Sequence, residues 1–185
     1  MKDDLTQNLQ RNKPMLRQCI IEDTIIGSVT IIYESKVEEI LLSNPKTSSV
    51  EMAWEKYGEL EEKHHRIADE ISNYFRKDSF NFRLEDLNLS KCREFQRSVL
   101  VKAFETPFGQ TNHYKDLAIK IDNPNSSRAV GNALRNNPFP IIIPCHRTIR
   151  ANNEIGGFAG DLNNHYKRIL LEHEGHVIRN NRVIA

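Results

Sequence analysis

Between residues 15 and 42 apolar positions alternate with polar ones over spans rich in isoleucine and valine: Met15–Ile21, Thr24–Tyr33 and Lys36–Leu42. A period of two with turn residues between the spans predicts three antiparallel strands. After the loop at Ser43-Asn44-Pro45 an acidic segment follows, with Glu59 to Glu62 expected on a solvated helix face. It leads into a helix that places Ile67, Ile71, Tyr74 and Phe75 at i, i+4, i+7 and i+8. One sheet and one helix make a small α+β lobe. Phe80 to Ser90 has mixed charge and no period, and reads as a linker. From Lys91 the pattern turns helical, with Phe95, Val99 and Ala103 recurring at spacing four up to the turn signal Thr106-Pro107-Phe108-Gly109.

The next helix sets Tyr114, Leu117, Ala118 and Ile121 on one face, with Thr111 available as its cap, and ends at Asp122-Asn123-Pro124-Asn125. A second short helix runs from about Ser126 to Arg135. It buries Val130 and Leu134 and gathers Ser127, Arg128, Gly131 and Arg135 on another face. Two helices across a tight turn form a helix-turn-helix. The side chains of Ser126, Ser127, Ala129 and Gly131 are too short to reach base edges across a major groove. They suit a minor groove about 6 Å wide, with Arg128 long enough to enter the base stack. The same small residues also permit tight helix packing, so this motif does not decide function alone. The expected fold is α+β in two lobes. Residues 1–88 form the sheet-plus-helix lobe, and 89–185 a mostly helical domain with the helix-turn-helix and a short active-site strand.

At 185 residues and 38% apolar content, the chain builds one ordinary core or two small lobes packed together. No run approaches the ~18 apolar residues of a membrane helix, and the first residues lack the apolar stretch of a secretory signal. Three cysteines far apart, with no C-x-x-C pair, point to a reducing compartment. These features lead to the expectation of a soluble intracellular protein, cytoplasmic or nuclear, with no membrane partner. The net charge of +1 hides an asymmetry. Residues 1–90 hold 12 Lys+Arg against 17 Asp+Glu, and residues 91–185 hold 14 against 8, so the second half is basic. Such a half fits a phosphate backbone.

The run from Asn137 to Arg147, NPFPIIIPCHR, carries the chemistry. Three isoleucines predict a buried strand ended by Pro144, with Cys145 at its end facing a cleft. An isolated cysteine is more often an inert core residue, but this one has His146 beside it. A thiol with a pKa near 8.5 needs a base or a positive charge to react as thiolate at neutral pH. His146 needs an orienting acceptor in turn, and Glu172, on a helix ending at Gly175, is the expected one. Glu174 reads as a solvated helix-end charge. Cys19 and Cys92 lack such company. His64, His65, His173 and His176 do not complete a tetrahedral site, so surface roles and no metal are expected.

Taken together these residues resemble the O6-alkylguanine-DNA alkyltransferases, also called methylated-DNA-protein-cysteine methyltransferases. The resemblance rests on Phe95-Gln96-Arg97, Thr106-Pro107-Phe108-Gly109, Tyr114, Ser127-Arg128-Ala129-Val130-Gly131, Asn137-Pro138, Ile143-Pro144-Cys145-His146-Arg147, Gly156-Gly157-Phe158-Ala159-Gly160 and Leu171-Glu172. It is strongest over residues 95–176, and the first lobe matches only in length and element order. The resemblance implies irreversible, single-turnover transfer of an alkyl group from O6 of guanine in duplex DNA to Cys145, without cofactor, with O4 of thymine left open. It implies His146 and Glu172 as water-linked activators and Asn137 as a hinge. Arg128 would fill the gap left by a flipped base, and Tyr114 would crowd the target phosphate and give its proton to the leaving guanine. Lys115 and Asn123 would contact phosphates, and Pro140, Thr148, Phe158, Ala159 and Gly160 would line the base pocket. The partner is then double-stranded DNA, met by a monomer, with cooperativity along DNA open. Phe158 stands where many members carry tyrosine, and Ser126 and Ser127 where small apolar residues are common. Two rival readings are a damage-binding protein without transfer activity and a cysteine hydrolase using Cys145, His146 and Glu172.

Overall fold

The computed structural model describes residues 15–44, 46–158 and 165–184. The alternating segments form strands β1 (Arg17–Thr24), β2 (Gly27–Tyr33) and β3 (Val37–Leu42), paired as an antiparallel meander. Val29, Ile31 and Tyr33 of β2 join the main core on one face, while Ile32 packs on the other, so this central strand is buried on both sides.

The second face is covered by a helix that the hydrophobic pattern did not separate from the acidic segment. Helix α1 (Ser49–Tyr57) is set by a capping box: Ser48 Oγ accepts from Glu51 N at 3.1 Å and Glu51 Oε2 accepts from Ser48 N at 2.8 Å. It stops at Gly58, whose φ is 75°. Glu61 and Glu62 therefore lie beyond it, as the exposed edge strand β4 (Glu61–Glu62) parallel to β1, and not on a helix face. The sheet order is β3-β2-β1-β4. Helix α2 (Arg66–Arg76) covers the first face with Ile67, Ile71 and Tyr74 fully buried.

Phe80 to Ser90 crosses to the second lobe as two short 3-10 turns. It is fastened to β3 where Asn88 N donates to Val37 O at 2.8 Å. Helix α3 (Glu94–Phe104) buries Val99, Leu100 and Ala103 against α4 (Tyr114–Lys120) and α5 (Ser127–Arg135), the helix-turn-helix pair. The N-terminus of α4 is closed by Asp116, which accepts from the His113 backbone N–H at 3.2 Å, and not by Thr111. One hydrophobic cluster runs from Ile31 through Ile71 and Leu100 to Ile143 and Leu170, so the two lobes share a core.

The predicted active-site strand does not form. Pro138, Pro140 and Pro144 remove ladder donors from this short stretch, and Ile141 takes a φ of 73°. Ile141, Ile142 and Ile143 make a buried tight turn instead, closed by Ile143 N donating to Phe139 O at 2.8 Å. Cys145–Arg147 then form a 3-10 turn, followed by β6 (Thr148–Ile149), parallel to β5 (Asn112–His113). Helix α6 (His165–His173) ends through Gly175 at φ 94°. A closing hairpin, β7 (Val177–Arg179) and β8 (Arg182–Ile184), turns at Asn180-Asn181, both with positive φ. It is laced to the Arg150–Gly157 loop by Ile155 N donating to Asn181 O and Val183 N to Asn153 O, each at 3.0 Å. Among the described residues no helix is long and apolar enough to cross a membrane.

Candidate active site

The turn forced by the prolines delivers Cys145 into the protein, where it is 6% exposed, and not onto an open cleft wall. Asn137 ties the turn together. Its Nδ2 donates to Ile143 O at 2.9 Å and to Cys145 Sγ at 3.2 Å, while its Oδ1 accepts from Phe139 N at 3.0 Å. Burial pushes the Cys145 thiol up, and the Asn137 N–H and the Lys167 charge act against that.

His146 is fully buried, and its Nε2 lies 2.7 Å from Glu174 Oε1. Glu172, the acceptor expected from sequence, is not there. It stays on the outer face of α6 and pairs with Arg168 at 3.5 Å, with 45% of its side chain exposed. The reason is helical period. Leu170 and Leu171 set the buried face, and the residue four beyond Leu170 is Glu174, not Glu172. Glu174 is 6% exposed, the opposite of a solvated charge.

Glu174 is instead the hub of a buried network. It accepts from Arg147 Nε at 2.8 Å and Nη2 at 2.9 Å, and from the Gly109 N–H at 3.3 Å. Burial alone would raise its carboxyl, but His146 and Arg147 outweigh that and hold it far below the usual carboxylate range. Burial holds His146 below the ordinary histidine value against the pull of Glu174. A neutral His146 beside an anionic Glu174 carries its proton on Nε2. Its buried Nδ1, which has no hydrogen-bond partner among the described residues, is then the basic lone pair.

Lys167 is the site residue that pattern reading missed. It is fully buried, its Nζ donates to Thr148 O, and it lies 5.7 Å from the centre of the Tyr114 ring. Burial pulls its ammonium down to about 8, opposed by the neighbouring Cys145. The signal was present: Lys167, Leu170, Leu171 and Glu174 repeat at i, i+3, i+4 and i+7, so one buried stripe has a charge at each end.

Tyr114, close enough to Cys145 for its hydroxyl to feel the thiol electrostatically, lines a cleft of about 290 Å³. The cleft is lined by Tyr114, Ser127, Arg128 and Gly131 of the helix-turn-helix and by Arg150, Gly156 and Gly157 of the opposing loop. A Cβ on Gly131 would stand 3.7 Å from the Tyr114 ring, ordinary contact, whereas one on Gly156 would press on its hydroxyl at 3.3 Å at a φ of 68°. Arg128, Ala129 and Arg135 are exposed on α5, Lys115 is exposed on α4, and Asn123 is exposed in the turn after α4. Ser126 and Ser127 are half-buried. Of the residues expected to line a base pocket, Pro140, Thr148 and Phe158 are described. Pro140 lines a separate groove of about 380 Å³ between β3 and the Asn137–Pro140 turn. Thr148 is buried under Lys167, and Phe158 packs edge-on to the His146 ring with centroids 6.3 Å apart. Ala159 and Gly160 lie outside the described residues. Cys19 and Cys92 are buried and free. Among the described residues no cluster of three His, Cys, Asp or Glu side chains is placed to hold a metal ion.

A family model described as the DNA binding domain of 6-O-methylguanine DNA methyltransferase matches residues 94–176. A methylated-DNA–protein-cysteine methyltransferase of Methanosarcina acetivorans is 48% identical over 82 residues, which is 44% of this chain and 51% of that protein, so the match spans about half of that relative. A probable methylated-DNA–protein-cysteine methyltransferase of Acanthamoeba polyphaga mimivirus is 35% identical over 142 residues, covering 75% of this chain and 85% of that protein. The structure of Mycobacterium tuberculosis OGT in complex with DNA superposes with a TM-score of 0.69 at 28% identity, covering 85% of this chain and 92% of that one.

Proposed function

The chain belongs to the methylated-DNA–protein-cysteine methyltransferase family, and from that premise we propose that it repairs duplex DNA by taking an alkyl group from O6 of guanine onto Cys145. The observation that carries this reading is the buried Cys145 held by Asn137, followed by a buried His146 held by Glu174, with Tyr114 near the thiol and lining a cleft with Arg128 and Gly131. In the chemistry, the thiol proton passes to His146 Nδ1 while Glu174 holds Nε2–H and Lys167 offsets the thiolate charge. Sulfur then attacks the alkyl carbon in line, the carbon–oxygen bond breaks as the carbon–sulfur bond forms, and the Tyr114 hydroxyl gives its proton to the departing guanine. A thioether resists hydrolysis, so each molecule acts once.

Because the thiol is buried, at 6% exposure, the base must leave the stack to reach it. Flipping costs a few kcal/mol, least for a damaged base. The exposed Arg128 is long enough to occupy the gap, and the small face of α5 allows close approach in a minor groove. Lys115, Asn123 and Arg135 would add phosphate contacts that position the duplex. We infer a lobe boundary between residues 88 and 89, a reading supported by the bond from Asn88 N to Val37 O of β3 just before it.

Intact-protein mass spectrometry after incubation with an O6-methylguanine duplex is expected to show one methyl group per molecule, mapped to Cys145 and absent in Cys145→Ala. No adduct on the wild-type protein would overturn the proposal. Arg128→Ala is expected to slow the reaction with duplex DNA about tenfold or more, roughly 1.4 kcal/mol, and to spare the reaction with the free alkylguanine base. Equal losses on both substrates would remove the flipping role.

A further inference from the structure

One more hydroxyl reaches the carboxylate that holds His146, and it comes from the other lobe. Tyr74 lies in α2, fully buried, and its phenol donates to Glu174 Oε1 at 2.8 Å, the oxygen that also faces His146 Nε2 at 2.7 Å. We propose that Tyr74 is a positioning residue for the alkyl transfer: a phenol of the N-terminal lobe that holds Glu174 Oε1 on His146 and sets the basicity of His146 Nδ1. The proposal rests on the reading of Cys145, His146 and Glu174 given above, and gives the first lobe a part in the chemistry.

Packing does not explain the hydroxyl. The Tyr74 ring is caged by Phe75, Phe80, Phe82, Phe108 and His173, with centroids 5.1 to 6.4 Å away, and a phenylalanine would fill the same cage. A buried hydroxyl costs free energy unless it finds a partner, and the partner here is the relay carboxylate. The approach is fixed from the other side as well. His173 Nε2 donates to the Tyr74 carbonyl at 2.9 Å, so the last turn of α2 is docked on the last turn of α6, one residue before Glu174.

The charges around the carboxylate give the expected effect a sign. Tyr74 faces Glu174 from α2, and His146 and Arg147 face it from the 3-10 turn. The Gly109 N–H reaches it from the loop before β5, and His173 and His176 flank it in sequence. The Lys167 charge acts on both His146 and Cys145. Every donor on Glu174 takes up part of its negative charge, leaving less to stabilise a protonated His146. Removing the phenol hydroxyl returns that charge to Oε1, so His146 becomes more basic and less of it is neutral at a given pH. Tyr74 itself responds as a donor would, with burial and Glu174 both pushing its own ionisation up, so it keeps its proton.

The test compares wild type with Tyr74→Phe, which keeps the ring, and Tyr74→Leu, which does not. In ¹⁵N-histidine NMR titrations, Tyr74→Phe is expected to shift His146 toward protonation at higher pH and to move its Nε2–H proton resonance, leaving His64 and His113 unchanged. In single-turnover reactions with an O6-methylguanine duplex, the acid limb of the rate profile should move to higher pH. Rates below it should fall roughly threefold or more, with unaltered affinity for DNA. Superimposable His146 resonances and rate profiles in wild type and Tyr74→Phe would overturn the inference. A rate loss in Tyr74→Leu alone would do the same, by assigning Tyr74 a packing role. A wild-type protein that forms no adduct would sink the functional reading instead, and the resonances would still decide whether Tyr74 governs His146.

Discussion

Replacing Glu174 with glutamine is expected to cost about 3–5 kcal/mol of stability, because it leaves the Arg147 guanidinium buried without its counter-ion. The amide of such a variant offers two donors to a place where Arg147, Tyr74 and the Gly109 N–H already donate. Alkyl transfer in the variant that remains folded should slow by roughly a hundredfold, the lower range for loss of a proton relay. Glu172→Gln removes only a long, exposed pair with Arg168, and should stay within about 0.5 kcal/mol of wild type. Denaturant midpoints at unchanged m-value and single-turnover rates measure both effects. A Glu172 effect equal to or larger than that of Glu174 would refute the assignment.

The pH dependence follows with a definite sign. The folded Glu174 carboxyl lies below its unfolded value, so its contribution is complete above about pH 4.3 and is lost as pH falls through the folded value. The stability gap between wild type and Glu174→Gln should therefore be full at neutral pH and narrow only in acid. A gap that narrows toward alkaline pH would contradict the network.

Asn137→Ala is expected to be the second large effect. It strips the partner from the Phe139 N–H of the buried turn, at about 1–3 kcal/mol for a group left without water, and takes one of two donors from the Ile143 carbonyl, which keeps the Cys145 N–H at 2.8 Å. It also removes the N–H that favours the thiolate of Cys145. The thiol should then ionise at higher pH, so the rate lost at neutral pH recovers in part as pH rises. Calorimetry and the alkaline limb of the transfer rate test the two halves. A variant with wild-type stability and an unshifted limb would show that Asn137 holds neither turn nor thiol.

The strands were legible from spans rich in isoleucine and valine set between turn residues, and α2 and the helix-turn-helix because each helix buries one face at its natural period. The run Ile141–Ile143 was not, since a fully buried apolar stretch has no period, and the prolines around it argue against a ladder as strongly as the isoleucines argue for one. Helix α1 was hidden in an acidic context, although its Ser48 to Glu51 capping box is a local start signal. Cys145, His146 and Asn137 could be picked out because they sit within one short run. Glu174 and Lys167 required knowing which face of α6 points inward, which Leu170 and Leu171 specify. Tyr74 lay beyond reach, because nothing local in α2 announces a partner 100 residues away.

The far lip of the cleft owes its position to the closing hairpin, whose ties to the Arg150–Gly157 loop at Asn153 and Ile155 run from main chain to main chain. Bonds of that kind are blind to side-chain identity. The tail can therefore drift in sequence while the lip keeps its place, provided that Asn180 and Asn181 are replaced by residues that tolerate positive φ.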